Sequence, residues 1–194
     1  LGRSLLVIPV LTEEATNVTG YVPYGVWYNL FDYTKTQSAG SVVSWNVTLY
    51  DMPVLVRGGS VLPMHQAALT STAARNTSYN LLVALSENGT ATGELYQDDI
   101  DAINVDGQST FVNFDVAGGT LNSKVAQNNY DGDKFTNSIA NVIVLGISAK
   151  PSQIVTSSSD AELSFSYNAT LEALTIDMSN ANLSVVEDFA LSWQ

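Results

Sequence analysis

The sequence predicts an all-β protein, and this fold class rests on three observations. Apolar and polar residues alternate with a period of two in several segments, as in half-buried antiparallel strands. The dipeptide Asn88-Gly89 lies between the strand-like runs Leu81–Leu85 and Ala91–Tyr96, which is a strong hairpin signal. No segment keeps an apolar stripe at helical spacing for more than about two turns. The alternating segments are Thr90–Tyr96, Thr110–Val116, Thr120–Ala126, Leu171–Asp177 and Val185–Trp193.

Composition indicates a globular protein and excludes several function classes. Of the 194 residues, 45% are hydrophobic and 13% are charged, so the chain can bury a core in one large domain or two small ones. Cysteine is absent, which excludes disulfides and metal–thiolate sites. A net charge of −12 argues against a nucleic-acid partner and suits an uncharged ligand. No apolar stretch approaches the roughly 20 residues that a membrane span requires.

The chain divides into two portions with different compositions. Residues up to about 78 are rich in tyrosine and tryptophan, whereas residues 79–194 have the pattern of a regular sandwich of eight or so strands. The polar stretch Thr70–Ser78 is the predicted link between them. The run Leu5–Val10 is continuously apolar, as in a strand covered on both faces. We therefore expect it to be the last strand of a parallel sheet whose remainder lies in another chain or in missing sequence.

The segment Met52–Met64, with the sequence MPVLVRGGSVLPM, combines apolar strands with a charge. The runs Met52–Val56 and Ser60–Met64 are joined by Arg57, Gly58 and Gly59, and the paired glycines favour a tight turn. The local pattern predicts a hairpin. An arginine between apolar segments has to be paired or reach solvent.

The order of motifs along the chain carries a family resemblance. LGRSLLVIPVL at residues 1–11 is followed by VTGYVPYGVWYNLF at residues 18–31, by MPVLVRGGSVLPM, and by GELYQDD at residues 93–99. This series resembles the C-terminal region of glycoside hydrolase family 31, most closely its α-glucosidase and maltase branch. The resemblance covers essentially the whole chain and is strongest over residues 1–100. It ends at Phe189–Trp193, which looks like the terminal strand of the family.

The resemblance implies an architecture with three parts. Residues 1–11 would be the final strand of a catalytic (β/α)8 barrel that another chain or missing sequence completes. Residues 12–78 would form a proximal β-sandwich domain, and residues 79–194 a distal one. In the barrel strand, the continuous apolar run would be covered on both faces.

The resemblance also implies a retaining glycosidase, in which one carboxylate attacks the sugar and a second carboxyl acts as acid and base. In the family both groups lie upstream of the segment that corresponds to Leu5, so no catalytic residue is expected in this chain. No cofactor or metal is expected either. The implied partner is the N-terminal catalytic portion of the enzyme, in the same or a separate polypeptide, and that portion would bind a neutral α-glucoside.

Local carboxylates and the single histidine are weak candidates for chemistry. Glu13 and Glu14 are adjacent, so their side chains point apart and form a poor catalytic pair. His65 has no second histidine or cysteine nearby and is expected to cap the end of a strand. Asp98, Asp99 and Asp101 lack the glycine and distal glutamate of a calcium loop, so a solvated acidic turn is favoured over a metal site. The family usually has glycine where Ile100 stands.

Arginine and aromatic side chains in the first portion have two possible roles. Arg57 could contact a sugar, but an ion pair that docks the proximal sandwich against the barrel is the favoured interpretation. The aromatic residues beside Pro23 and Gly25 could stack on sugar rings, although packing between domains fits their crowding better. They are Tyr21, Tyr24, Trp27, Tyr28 and Phe31.

Six Asn-x-Ser/Thr sequons predict a glycoprotein of the secretory pathway, either secreted or vacuolar or lysosomal. Their acceptor residues are Asn17, Asn46, Asn76, Asn88, Asn168 and Asn182. The chain opens with Leu1 and shows no signal peptide, which indicates a mature piece of a longer precursor.

These observations lead to one favoured function and two alternatives. The favoured function is the C-terminal fragment or processed subunit of an α-glucosidase that hydrolyses terminal α-linked glucose from maltose, maltooligosaccharides or starch. A first alternative keeps the family and changes the sugar, as in an α-xylosidase. A second is a non-catalytic carbohydrate-binding β-sandwich protein, which would leave the apolar run Leu5–Val10 exposed.

Overall fold

The structure confirms the all-β prediction. A computed structural model describes residues 1–101, 103, 107–130, 132–157 and 163–194. The strands of the first portion are β1 (Leu5–Val7), β2 (Asn17–Val22), β3 (Gly25–Asn29), β4 (Lys35–Ser38), β5 (Ser41–Asn46), β6 (Val54–Arg57) and β7 (Ser60–His65). They are followed by β8 (Tyr79–Ala84), β9 (Ala91–Gln97), β10 (Thr110–Ala117), β11 (Thr120–Asn128), β12 (Ile139–Leu145), β13 (Ile154–Thr156), β14 (Phe165–Asn168), β15 (Ala173–Asp177) and β16 (Phe189–Trp193).

The strands of the described residues form three sheets. A two-stranded sheet pairs β2 with β5, and a four-stranded antiparallel sheet has the order β1-β6-β3-β4. The remaining strands follow the order β13-β16-β11-β10-β9-β7-β8-β12-β15-β14. Among the described residues, the Ser60–Thr92 bridge between β7 and β9 joins the two halves of this ten-stranded sheet.

The sheets stack in layers, with a core between each pair of layers. Val22, Trp27 and Leu55 fill the space between the two-stranded and four-stranded sheets. Tyr28 and Val56 on the opposite face of the four-stranded sheet pack against β8 and β12. The largest core lies between the two halves of the ten-stranded sheet. It includes Leu81, Val83, Val142, Val144, Leu174 and Ile176 from one half, and Val112, Phe114, Val116, Leu121, Phe189 and Leu191 from the other.

The central strand β8 belongs to two cores at once. Leu81 and Val83 face the core of the ten-stranded sheet, whereas Leu82 and Ala84 face the four-stranded sheet. All four side chains are fully buried. Its neighbour β12 pairs with it in parallel and is buried in the same way. A continuous apolar run in this protein therefore marks a strand between two layers, whatever the direction of its partners.

The predicted parallel pairing of Leu5–Val10 is wrong. The strand covers only Leu5–Val7 and pairs antiparallel with β6, with Leu5 opposite Val56 and Val7 opposite Val54. Leu5 packs against one core and Leu6 against another, which explains why both faces are apolar. The strand thus lies at the edge of the four-stranded sheet within this chain, and its pairing there is antiparallel rather than parallel.

Two predicted hairpins are also wrong, although their turns form. Gly89 adopts a positive φ and its N–H donates to the Ser86 carbonyl at 2.9 Å, but β8 and β9 are not paired. Strand β7 lies between them in the order of the sheet. Strands β6 and β7 likewise belong to different sheets, so the Arg57-Gly58-Gly59 turn passes the chain from one layer to the next.

The predicted link contains a short helix. Thr70 caps α1 (Ser71–Arg75) by accepting a hydrogen bond from the Ala73 N–H. Strand β7 precedes this link, yet it pairs along its whole length with β8, which follows it. The domain bounds at residues 1–11, 12–78 and 79–194 stay predictions. In the described part of the chain, no helix is long and apolar enough to cross a membrane.

Candidate functional site

The Arg57-Gly58-Gly59 turn lies where three layers meet. The Gly58 N–H donates to the Val26 carbonyl of the four-stranded sheet, and the Gly59 N–H donates to the Ala84 carbonyl of β8, both at 2.8 Å. A Cβ on Gly58 would lie 2.8 Å from the Leu85 carbonyl oxygen and closer still to the Val26 side chain. Gly59 has φ +98°, a conformation that favours glycine. Gly58 is therefore required for the close approach of the layers, and Gly59 for the backbone conformation of the turn.

Arg57 projects from this turn into solvent. Its guanidinium lies 5.9 Å from the centroid of the Trp27 ring, which is its partner in the strand register. Its backbone N–H donates to the Ser4 carbonyl at 2.8 Å. No carboxylate among the described residues pairs with it. The predicted ion pair to a barrel thus stays a prediction.

An open cleft of about 1000 Å³ lies beside this turn. Arg3 and Arg57 line one part of it, and Glu94 and Asp115 project into it from β9 and β10. All four charged side chains are exposed. A glycosidase acid needs a desolvated carboxyl with a raised pKa. The cleft therefore suits a polar contact and lacks the desolvation that acid catalysis requires. The sequence does not predict this cleft, because Glu94 occurs in the GELYQDD motif without a separate signal and Asp115 matches no motif.

His65 has a structural role. It is the last residue of β7, at the predicted strand end. Its Nδ1 lies 3.0 Å from the Thr77 carbonyl oxygen, and its ring is 4.0 Å from that of Tyr79. Burial raises the pKa of Tyr79, which also accepts a hydrogen bond from the Gln97 amide. The histidine thus packs the link against the ten-stranded sheet.

The acidic turn at residues 98–101 is held by a lysine. Lys134 Nζ lies 3.1 Å from a carboxylate oxygen of Asp99 and of Asp101. The hydrogen bond to Asp99, followed by that to Asp101, raises the pKa of Lys134. Asp98 turns inward and accepts the Ile100 N–H at 2.8 Å. The ammonium group thus bridges the two carboxylates.

Ile100 adopts the left-handed conformation that the family resemblance associates with glycine. Its φ is +59°, and its side chain is half-exposed. A β-branched residue in this region is strained by about 1–2 kcal/mol. We expect Ile100→Gly to raise the free energy of unfolding by about 1 kcal/mol, measured by urea denaturation. Ile100→Ala should give a smaller gain, and a less stable Ile100→Gly protein would contradict the strain argument.

The remaining candidates do not converge on one site. Glu13 and Glu14 are both exposed in the loop before β2. Trp27 is buried and donates from Nε1 to the Pro23 carbonyl at 2.9 Å. Tyr28 is buried in the next core and donates to the Leu85 carbonyl at 3.0 Å. Burial, and secondarily the charge of Glu172, raises the pKa of Tyr28 to about 12. These two aromatics pack layers together, whereas Tyr21, Tyr24 and Phe31 are exposed.

All six sequon asparagines are exposed. Asn17 and Asn46 are direct cross-strand partners on the outer face of the two-stranded sheet. Asn88 lies in the turn between β8 and β9, and Asn168 ends β14. Each acceptor is therefore accessible for glycan attachment in the folded chain. The other two acceptors are Asn76, which caps the end of α1, and Asn182, which has φ +51°.

Comparisons with known proteins agree with the motifs. The profile described as the glycosyl hydrolase family 31 C-terminal domain matches residues 1–62. The chain is 37% identical to an alpha-glucosidase of Aspergillus oryzae, over 100% of this chain and 20% of that protein. It is 32% identical to the lysosomal alpha-glucosidase of Bos taurus, over 99% of this chain and 22% of that protein.

A solved structure shows the same fold. The glucosidase II alpha subunit bound to Glc1Man2 superposes with a TM-score of 0.80 at 22% identity, covering 98% of this chain and 23% of that one. This chain spans about a fifth of the length of the curated relatives. The part of each relative that it matches is the C-terminal part. The chain belongs to glycoside hydrolase family 31 and corresponds to its C-terminal β-sandwich region.

Proposed function

We propose that the chain is the C-terminal part, as a fragment or a processed subunit, of a retaining α-glucosidase that releases terminal non-reducing glucose from maltose, maltooligosaccharides or starch. The observation that carries the proposal is the similarity of the whole chain to α-glucosidases at 37% and 32% identity. The chain itself supports the catalytic portion, which bears the nucleophile and the acid–base carboxyl. That portion belongs to the same polypeptide or to a separate one.

The electrostatics of the chain fit a supporting role. A retaining enzyme needs two carboxyls about 5–5.5 Å apart, one of them protonated at neutral pH. Two carboxyls have a clearly lowered pKa, whereas an acid catalyst needs a raised one. The Ser179 N–H lowers the pKa of Asp177, and Lys124 lowers that of Asp188. Asp99 and Asp101 are tied to Lys134. A lowered pKa makes Asp177 and Asp188 poor proton donors at neutral pH.

The proposal predicts a difference in activity between the chain and the full-length protein. Residues 1–194 expressed alone should show no turnover of a chromogenic α-glucoside, whereas the full-length protein should be active. The corresponding α-xyloside is the control substrate, because its hydrolysis distinguishes an α-xylosidase of the same family from an α-glucosidase. Turnover of either substrate by the isolated chain would contradict the proposed supporting role. A full-length protein that hydrolyses only the xyloside would contradict the proposed specificity.

We also propose that the protein is a glycoprotein of the secretory pathway, because all six acceptor asparagines are exposed. Peptide mapping of the native protein should find N-linked glycan on the acceptors. Enzymatic removal of the glycans should lower the intact mass and convert the modified asparagines to aspartate. Asn113 is a matched control, since it is exposed but lies outside a sequon. Unmodified asparagine at all six positions would contradict this part of the proposal.

A further inference from the structure

Large apolar side chains are exposed together at one end of the first two sheets. We call this group the apolar end, and it consists of Leu11, Phe31, Leu49, Tyr50 and Met52. Leu11, Leu49 and Tyr50 retain 88–92% of their maximal exposure, so they contribute little to the folded core of the chain. Clustered apolar exposure of this kind is typical of a surface that another body covers.

Backbone hydrogen bonds bring the loops of the apolar end together. The Ile8 N–H donates to the Pro53 carbonyl at 3.0 Å, and the Leu30 N–H donates to the Val54 carbonyl at 2.8 Å. The Val47 N–H donates to the Thr16 carbonyl at 3.0 Å. The loops 8–16, 30–34 and 47–53 therefore leave the two sheets at the same end. The Arg57 turn lies at the opposite end of β6.

The same loops bear only acidic charges. Glu13, Glu14, Asp32 and Asp51 are exposed, and the three loops contain no lysine or arginine. Asp51 and Asp32 accept hydrogen bonds from Thr48 and Thr34, so they shape the loops as well as charge them. A covering surface would therefore be apolar at its centre and basic or rich in hydrogen-bond donors at its rim.

We infer that the apolar end docks the portion of the polypeptide that precedes this chain. The occupant is argued from length, because the chain spans about a fifth of its relatives and corresponds to their C-terminal part. The family profile matches residues 1–62, which include every residue of the apolar end. This inference rests on the proposed function, and it assigns the surface through which the supporting role is exerted.

Hydroxyl-radical footprinting of the full-length protein tests the inference. We expect Tyr50 to be labelled at least fivefold more slowly than Tyr24, which is 67% exposed and lies outside the apolar end. We expect the same ratio for Leu11 and Leu49 against Leu69, which is fully exposed and follows β7. Each comparison uses one residue type, so intrinsic reactivity cancels.

Three other outcomes would each lead to a different conclusion about the docking surface, its occupant or the proposed function. Labelling of Tyr50, Leu11 and Leu49 at the rates of their controls would overturn the docking surface. Protection that disappears on dilution would overturn the occupant and indicate a second copy. Protection that persists in a full-length protein without α-glucosidase activity would support docking and reject the proposed function.

As a second measurement, Leu49→Ser should lower the thermal midpoint of the full-length protein, whereas Leu69→Ser should leave it unchanged.

Discussion

Replacement of Gly93 by alanine is expected to lower the free energy of unfolding by about 3 kcal/mol. Gly93 is in β9, beside the bridge that joins the two halves of the ten-stranded sheet. A Cβ at this position would lie 2.8 Å from the Val61 Cβ and closer still to the Val61 carbonyl oxygen. Backbone atoms cannot rotate away as a side chain can, so β9 would have to separate from β7. Urea denaturation measures the loss.

A hydrogen bond of the residue before Gly93 shows why β9 cannot simply move. The Thr92 N–H donates to the Gly59 carbonyl at 3.1 Å, which ties β9 to the Arg57 turn. Moving β9 outward would stretch this bond and open the core around Phe114. Gly93 begins the GELYQDD motif, so the close approach gives a physical reason for the glycine there.

A second glycine separates crowding from conformational strain. Gly118 has φ +57°, and no atom of the described residues lies within 4 Å of the position that a Cβ would take there, so Gly118→Ala should cost about 1 kcal/mol through strain alone. Gly93 has no positive φ, and without crowding an alanine there would stabilise the fold by restricting the unfolded chain. A Gly93→Ala protein as stable as the parent would therefore contradict the predicted contact.

The period-two pattern predicts most strands well, because in a half-buried strand the apolar residues face the core and the polar residues face solvent in alternation. Thr110–Val116 and Thr120–Ala126 correspond to β10 and β11, and both alternate between core and solvent. Pairing is a different property, since it depends on contacts with strands that are distant in the sequence. The Asn88-Gly89 turn reverses the chain locally, but β7 already pairs with β8 and β9 joins the opposite half.

Continuous apolar runs are ambiguous for a related reason. Such a run indicates that both faces of a strand are covered, and it does not indicate by what. The run Leu5–Val10 predicts a parallel strand, whereas its first residues lie at the edge of an antiparallel sheet. A parallel ladder does form between β8 and β12, in the interior of the stacked layers. Layer stacking arises from contacts between distant segments and has no local sequence signal.

The candidate site is predictable where motifs are long and unpredictable where it depends on exposure. The family motifs place Arg57 and its glycines in a supporting region, and the structure explains Gly58 by close approach and Gly59 by its positive φ. The exposed state of Leu49 and Tyr50 cannot be predicted, because apolar residues in a loop are as consistent with burial as with docking. Only the folded arrangement of the three loops distinguishes these alternatives.

Replacement of Leu82 by alanine is expected to have the largest effect on stability, about 4 kcal/mol. Leu82 is fully buried in the core between the four-stranded sheet and β8. The layers on both sides are fixed by strand pairing, so they can collapse only partly into the cavity that the truncation leaves. Chemical denaturation of the variant measures the loss. Leu69→Ala is the matched control, since the same atoms are removed from a fully exposed side chain.

The neighbouring residue shows whether the layers unfold together. Leu81 is also fully buried, but it faces the core between the two halves of the ten-stranded sheet. If the layers form one cooperative unit, Leu81→Ala and Leu82→Ala should shift a single unfolding transition by similar amounts. If the first two sheets unfold separately, Leu81→Ala would leave one transition unmoved. Because β8 contributes side chains to both cores, loss of either core removes the support of the other, and we expect one transition.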